Sequence, residues 1–407
     1  MKVTGLIKWF LCAVWTTAYA APQELVVATT FSPDTANNII QRWQMEFPER
    51  KVRLINRTSA SLERLLNQRN MERIDLILSS SPFLFQALQD KRQLAELPAE
   101  LQNTSDLIPP ALRSTTTTPA FSGYGILYNK KLLQERHLPL PTDWHSLFQP
   151  GYYNGLLMTS PSRSGTNHIM LEMLLQQKGW QRGWATILNL GANLSVISSR
   201  SFNVADRIKM GGAVAGISID SYGGNADSEL GFVYFPTSVA SPTFIAVHKD
   251  SLQPRAAAEL IAFLQSPKGQ KIVAAPNIAK FPIQGLAPGN ILYPQQQKLL
   301  AQPPLDHELL LSRQQVVERL FDTAVTFRLT QLKEVWGLIY QKEQKTSQKL
   351  TALRQLLLEV PITEEQLRDP LYLKRFSQDK NFASEQEQQW SEFFRRRLSL
   401  VLSGLGE

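Results

Sequence analysis

Three times within its first hundred residues the chain passes from a short apolar strand, through a turn rich in hydroxyls, into a helix. Leu25-Val26-Val27-Ala28 runs into Thr29-Thr30-Phe31-Ser32, after which Asp34 is expected to cap a helix carrying Ile39, Ile40, Trp43 and Phe47 at the 3.6-residue period. A second strand, residues 51–56, ends in Arg57-Thr58-Ser59 before a helix with Leu62, Leu65 and Leu66. The third, residues 74–78, ends in Ser79-Ser80-Ser81 and a helix opened by Pro82, where the missing N–H costs nothing. Strands alternating with helices form a parallel sheet with right-handed crossovers, and ligands of such sheets sit outside the carboxyl ends of the strands. A single turn hydroxyl commonly does no more than satisfy a nearby backbone N–H. Three such turns at equivalent positions make Thr30, Ser32, Thr58, Ser59 and Ser80 candidates for ligand contact.

A second α/β unit follows. Residues 122–129 read as a strand leaving the first lobe, residues 142–148 as a short helix, and residues 155–159, 194–198, 213–219 and 232–235 as strands. Residues 243–247 are expected to return to the first lobe, with a helix over 254–264 packed on them. The 407 residues exceed one ordinary domain of about 100–200. The expected division is lobe 1 over 21–120 and 243–300, lobe 2 over 121–242, and a helical extension over 301–407. In that extension apolar spacing runs through Val316, Leu320 and Ala324, then Leu332, Val335, Trp336, Ile339 and Tyr340. Thr363 with Gln366, and Ser384 with Glu387, match capping boxes, the second followed by Trp390, Phe393, Phe394, Leu398 and Val401. The extension is expected to pack on lobe 1; the functional alternative is a docking surface for a membrane-bound partner.

The N-terminus constrains location. Lys2 and Lys8 flank the apolar run from Trp9 to Trp15, and Ala18-Tyr19-Ala20 precedes Ala21, the layout of a secretory leader over residues 1–20 cleaved after Ala20. Its apolar run is far short of the roughly 20 residues of a membrane span. Cys12, the single cysteine, lies inside that leader, so the mature chain is expected to carry no disulfide, thiolate metal site or thiol nucleophile. The net charge is +8, and +6 once Lys2 and Lys8 are removed, which favours anionic ligands or an anionic membrane surface. Export, rather than charge, argues against nucleic acid as a partner.

The turn Pro161-Ser162-Arg163-Ser164-Gly165-Thr166 lies between a strand and a helix with Ile169, Met170, Met173 and Leu174, closed by Gly179. A helix start preceded by Ser and Gly offers orphan N–H groups and the positive end of the dipole, worth about 0.3–1 kcal/mol to an anion. Ser164, Gly165 and Thr166 are therefore candidate donors, and Arg163 a candidate for a charge-assisted pair worth roughly 1.5–3 kcal/mol. The same segment reads equally well as an ordinary capped helix with an exposed arginine. A second arginine turn, Ser198-Ser199-Arg200-Ser201, adds Arg200, and Asp220-Ser221-Tyr222 adds Asp220 to accept from a ligand hydroxyl and Tyr222 to donate to an oxygen. No G-x-S-x-G elbow, H-E-x-x-H helix or phosphate loop is present, so no catalytic residue, metal ligand or cofactor is expected. His168 and Glu172, one helical turn apart, read as a surface contact rather than a metal site.

Tyr128-Asn129, Asp143-Trp144, Pro150-Gly151-Tyr152, residues 161–166 and Ser266-Pro267-Lys268-Gly269-Gln270 together resemble, in order, bacterial extracellular solute-binding proteins of the ferric-ion and phosphonate group. The resemblance spans roughly residues 24–300 and implies a two-lobed fold of the periplasmic-binding-protein type II class, α/β, in the periplasm. Ferric binders of that group use adjacent tyrosines, where this chain has Asp220-Ser221-Tyr222, which puts iron in doubt. Ala28-Thr29-Thr30-Phe31-Ser32-Pro33, Ser198-Ser199-Arg200-Ser201-Phe202, Gln302-Pro303-Pro304-Leu305 and Phe321-Asp322-Thr323-Ala324 extend it, resembling a regulatory branch of the family that carries the helical C-terminus. That resemblance implies a phosphorylated carboxylate ligand, phosphoglycerate or phosphoenolpyruvate, and a membrane sensor kinase of a two-component system that induces a phosphoglycerate transporter. The competing expectation is a binding protein that feeds an ABC importer, which needs no such extension.

Overall fold

A computed structural model describes residues 24–68, 73–102, 105–223 and 228–406; the leader and Cys12 lie outside the described residues. Among the described residues eleven strands form two sheets: β1 Leu25–Thr29, β2 Val52–Asn56, β3 Leu76–Ser79, β4 Thr117–Ser122, β5 Tyr124–Asn129, β6 Leu156–Thr159, β7 Leu194–Ser198, β8 Ala215–Ile219, β9 Leu230–Tyr234, β10 Ser241–Val247 and β11 Phe281–Pro282. Lobe 1 is built on the order β11-β4-β10-β3-β1-β2, and lobe 2 on β7-β6-β8-β5-β9. In lobe 1 β1 is parallel to β2 and β3, and β10 is antiparallel to β3 and β4. Lobe 2 repeats the pattern, with β6 parallel to β7 and β8, and β5 antiparallel to β8 and β9.

The chain crosses between lobes at Gly123 and again between β9 and β10. The two crossings are pinned together, since Tyr124 N–H donates to Ser238 Oγ at 2.7 Å and the Tyr124 hydroxyl pairs with Ser241 Oγ at 2.6 Å. A Cβ at Gly123 would lie 2.7 Å from the Tyr234 ring and 2.9 Å from the Leu299 side chain, so the crossing admits no larger residue without movement. Strand β4 was not anticipated, because its Thr-rich sequence lacks an apolar alternation.

Two helix starts differ from expectation. Ser32, not Asp34, caps helix Pro33–Gln44, its Oγ accepting from Thr35 N–H, while Asp34 sits in the first turn. Ser384 and Glu387 lie inside helix Lys380–Leu405, which starts earlier because the Asp379 carboxylate takes the N–H groups of Asn381 and Phe382. The box of Thr363 and Gln366 forms and opens helix Glu364–Arg368.

The C-terminal helices pack on lobe 2, not on lobe 1. Val316, Leu320, Phe321, Leu332, Trp336, Phe376, Trp390 and Val401 share one continuous core with Met158, Met170, Leu174, Trp184 and Ile187 of lobe 2. Helix Gly165–Lys178 is consequently buried on almost every face, and neither His168 nor Glu172 is at the surface. Each is 0% exposed and meets a partner from the extension: His168 Nδ1 lies 3.2 Å from Glu318, and Glu172 forms an ion pair with Arg313 at 2.6 Å. Two further bonds fasten the same seam, from Trp180 Nε1 to the Ile362 carbonyl at 2.9 Å and from the Tyr153 hydroxyl to the Lys333 carbonyl at 2.8 Å. No helix among the described residues is long and apolar enough to cross a membrane.

Candidate functional site

The carboxyl ends of β1, β2 and β3 face those of β6 and β7 across the gap between the lobes. Thr30, Thr58, Ser59 and Ser81 from lobe 1, with Arg163, Ser164, Gly165, Thr166, Arg200 and Ser201 from lobe 2, enclose one cavity. Four helices begin on it: Ser59–Leu66, Pro82–Asp90, Gly165–Lys178 and Ser201–Lys209. Thr58 and Ser164 cap their own helices by accepting from Ser61 N–H and Asn167 N–H. Helices Pro82–Asp90 and Ser201–Lys209 have no side-chain cap, so their orphan N–H groups remain available to a ligand oxygen. Ser81 Oγ, in a residue 2% exposed, has no hydrogen-bond partner among the described residues. Four positive helix ends and two guanidinium groups make the cavity strongly attractive to anions.

Arg200 spans the gap. Its Nη2 donates to Asn56 Oδ1 at 2.5 Å and to the Thr30 carbonyl at 3.4 Å, and its guanidinium lies 4.8 Å from the Phe202 ring centre. Half-burial lowers the Arg200 pKa from its ordinary value, against the opposing pull of Tyr222. Tyr222 stands beside Ser201 and Arg200, and its burial pushes the phenol up to about 12. The lobes are drawn close: a Cβ on Gly165 would sit 2.4 Å from Ser81 Oγ, and the Phe83 ring of lobe 1 lies tilted with its centre 4.2 Å from that of the His168 ring of lobe 2. The cavity measures about 20 Å³, room for about one water, so anything larger enters with the lobes apart. Beside it a wider cavity of about 290 Å³ is shared by Ser59, Glu63, Ser81 and Arg163 with Gln315, Glu318 and Arg319 of the extension.

Of the residues expected at the site, Thr30, Thr58, Ser59, Arg163, Ser164, Gly165, Thr166 and Arg200 come together, and Tyr222 abuts Arg200. Ser32 is occupied with its helix cap, and it is Ser81 rather than Ser80 that lines the wall. Asp220 turns away to the hinge, where its Oδ2 accepts from Gly123 N–H at 2.7 Å and from the Tyr234 hydroxyl at 3.1 Å. It borders a separate cavity of about 400 Å³ together with Lys280, a buried cation whose Nζ donates to Ser122 Oγ at 3.2 Å. Ser81 and Ser201 belong to the serine clusters Ser79-Ser80-Ser81 and Ser198-Ser199-Arg200-Ser201 that are visible in the sequence. Lys280 carried no signal, because its neighbours Ser122 and Phe31 are remote in sequence.

Burial pushes the Asp220 carboxyl up to about 6, against the Gly123 N–H and the Lys280 charge, and burial brings the Lys280 ammonium down to about 8. A carboxyl whose folded pKa lies above its unfolded value of about 3.9 supports folding while protonated. That support is full below the unfolded value and is lost as the pH rises through about 6. Lys280 titrates above this window. Asp220→Asn escapes the loss, so its melting temperature relative to wild type is expected to climb by a few degrees between about pH 4.5 and 6.5. A gap that stays constant across that range in scanning fluorimetry contradicts the assignment.

Among the described residues no group of three or more His, Cys, Asp or Glu side chains is placed to hold a metal ion. Residues 72–299 match the family model described as bacterial extracellular solute-binding protein. Over 390 residues the chain is 47% identical to the phosphoglycerate transport regulatory protein PgtC of Salmonella typhimurium strain LT2, covering 95% of this chain and 98% of that one. Among solved structures it is similar to the fructose-6-phosphate-bound periplasmic binding protein AfuA from Actinobacillus pleuropneumoniae, with a TM-score of 0.64 at 14% identity over 74% of this chain and 98% of that chain. Iron-bound HitA from Pseudomonas aeruginosa gives 0.60 at 18% identity over 73% and 99%. At those identities the two structures speak for the fold, which is that of the type II periplasmic binding proteins, here with a helical C-terminal region.

Proposed function

Because the chain belongs to the bacterial extracellular solute-binding protein family, we propose that it is an exported receptor for a phosphorylated three-carbon acid of the phosphoglycerate type. Its role in this reading is to regulate the transport of that acid rather than to deliver it. The observation that carries the ligand class is the convergence of Arg163, Arg200 and four helix N-termini on one interlobe cavity. Phosphoglycerate offers a phosphate, a carboxylate and a hydroxyl. The two arginine turns suit the two anionic groups, and the hydroxyls of Thr30, Ser59, Ser81 and Thr166 suit the third, a role that Asp220 at the hinge does not fill. Regulation is favoured over uptake because similarity to the regulatory relative runs over 95% of the chain. A membrane sensor kinase is the partner this reading calls for, and in the same reading the leader is cleaved after Ala20 and the protein works in the periplasm.

Ligand drives the change by binding the closed form more tightly. To move from mostly open to mostly closed the difference must be on the order of 10⁴-fold. Arg163 and Arg200 stand on lobe 2 while Thr30, Ser59 and Ser81 stand on lobe 1, so a bridging anion satisfies all of them only when the lobes draw together around it, wider apart than the gap of about 20 Å³ seen here.

Calorimetric titration of the mature protein with 2-phosphoglycerate, 3-phosphoglycerate, phosphoenolpyruvate and ferric ion tests the proposal. Saturable heat is expected with at least one phosphorylated acid, weakened roughly 10- to 100-fold in Arg163→Ala by loss of a charge-assisted bond. No saturable heat with any of the three acids, or wild-type affinity in Arg163→Ala, would overturn it.

A further inference from the structure

The turn that carries Arg163 is not held by lobe 2 alone. Ser160 and Ser162 donate their hydroxyls to one carboxylate, that of Asp322 on helix Gln314–Ala324, at 2.7 Å to Oδ1 and 2.6 Å to Oδ2. Thr326 donates to the same Oδ1 at 2.6 Å. Ser160 is buried, and its carbonyl accepts the N–H groups of Arg163 and Ser164 at 3.1 and 3.2 Å, so the start of the turn is clamped on both sides. Hydroxyls, not Arg163, satisfy the Asp322 charge, and among the described residues Arg163 makes no ion pair; its guanidinium is left for an anion.

The same helix is tied to lobe 2 along its length. Toward its start Arg313 pairs with Glu172, in the middle Glu318 meets His168, and at its end Asp322 grips the turn. Its Gln315, Glu318 and Arg319 also wall the cavity that lies between the lobes. One rigid element therefore touches both the anion turn and the gap that changes when the lobes move.

We infer that Asp322 is a positioning residue that fixes the Arg163 turn in its anion-accepting form and makes the turn and the C-terminal extension a single coupled unit. Anion binding then stiffens the extension directly, in addition to any signal from lobe closure. The coupling is reciprocal, so whatever grips the extension alters affinity for the anion. The identity of the anion rests on the proposed function, whereas the hold on the turn does not.

The experiment compares wild type, Asp322→Asn, Ser162→Ala and the double variant, all as full mature chains. Without ligand, amide exchange over residues 161–166 is expected to quicken in each variant. With 3-phosphoglycerate the dissociation constant is expected to rise about tenfold, within the usual span of site couplings. The double variant should be no weaker than Asp322→Asn alone, because the Ser162 contact is already among those that Asp322→Asn disturbs. Ligand-induced protection over residues 314–346 is expected in wild type, and its absence there overturns the coupling; it should fall in all three variants, whereas a merely structural role would leave it intact at unchanged thermal stability. Wild-type exchange at 161–166 in Asp322→Asn overturns the inference, as does full ligand-induced protection of the extension. Should Asp322→Asn fail to fold, Ser162→Ala at the turn's edge gives the same two readouts. If wild type binds none of the phosphorylated acids, the proposed ligand falls, and the ligand-free exchange still decides the positioning role.

Discussion

Glu172→Ala is expected to lower the unfolding free energy of lobe 2 with its extension by about 3–5 kcal/mol, the usual cost of removing one partner from a buried ion pair. Glu172 is 0% exposed and Arg313 5%, and the guanidinium reaches the carboxylate through Nε at 3.0 and 3.1 Å and Nη2 at 2.6 Å. The Arg313 guanidinium also lies 5.5 Å from the Trp180 ring centre, and at 5% exposure it is left a buried, unpaired charge once its partner is lost. The loss should appear in urea unfolding followed by fluorescence, and limited proteolysis should release the C-terminal helices first. Replacing Glu172 and Arg313 together by methionine should recover most of the stability, since an apolar pair of similar volume leaves no charge behind. A cost below about 1 kcal/mol for the single change would show that the pair does not hold the extension in place.

Arg200→Ala is expected to weaken anion binding by roughly 10- to 150-fold, equivalent to about 1.5–3 kcal/mol for hydrogen bonds to a charged donor. The effect has two sources. One is the lost charge, and the other is the lost bridge from lobe 2 to Asn56 and the Thr30 carbonyl of lobe 1, which favours the closed arrangement. Arg200→Lys should fall between the two, retaining the charge but not the planar fork that reaches two acceptors at once. Titration calorimetry reads the affinity, and small-angle scattering of the ligand-free variants reads the loss of closure. Wild-type affinity in Arg200→Ala would remove this residue from the site.

What was legible in the sequence had causes a few residues long. Strand, hydroxyl turn and helix follow one another in units encoded by the apolar period and by local caps, so β1 to β3 and their helices stood out, as did the turn at Arg163 and the box at Thr363. Capping patterns were less decisive where two candidates competed. Ser32 displaced Asp34, and Asp379 displaced Ser384, because the packed length of each helix selects its start. Of the two adjacent serines beyond β3, it is Ser81, at the start of helix Pro82–Asp90, that faces the cavity rather than Ser80.

The longer links had no local cause to read. Asp220 was drawn to Gly123, 97 residues away, because the hinge N–H needed an acceptor once buried. His168 and Glu172 looked like a surface pair while the cover on their helix was unknown, and that cover comes from residues about 140–150 positions further on. Composition and periodicity determined that this chain makes two α/β lobes with hydroxyl-lined strand ends and a helical tail. Tertiary packing alone decided that the tail covers lobe 2 and that Asp322 grips the turn built on Ser160, 162 residues earlier. Apolar faces are interchangeable in sequence, and only their shape fit, together with the need to pair each buried charge, selects which two will meet.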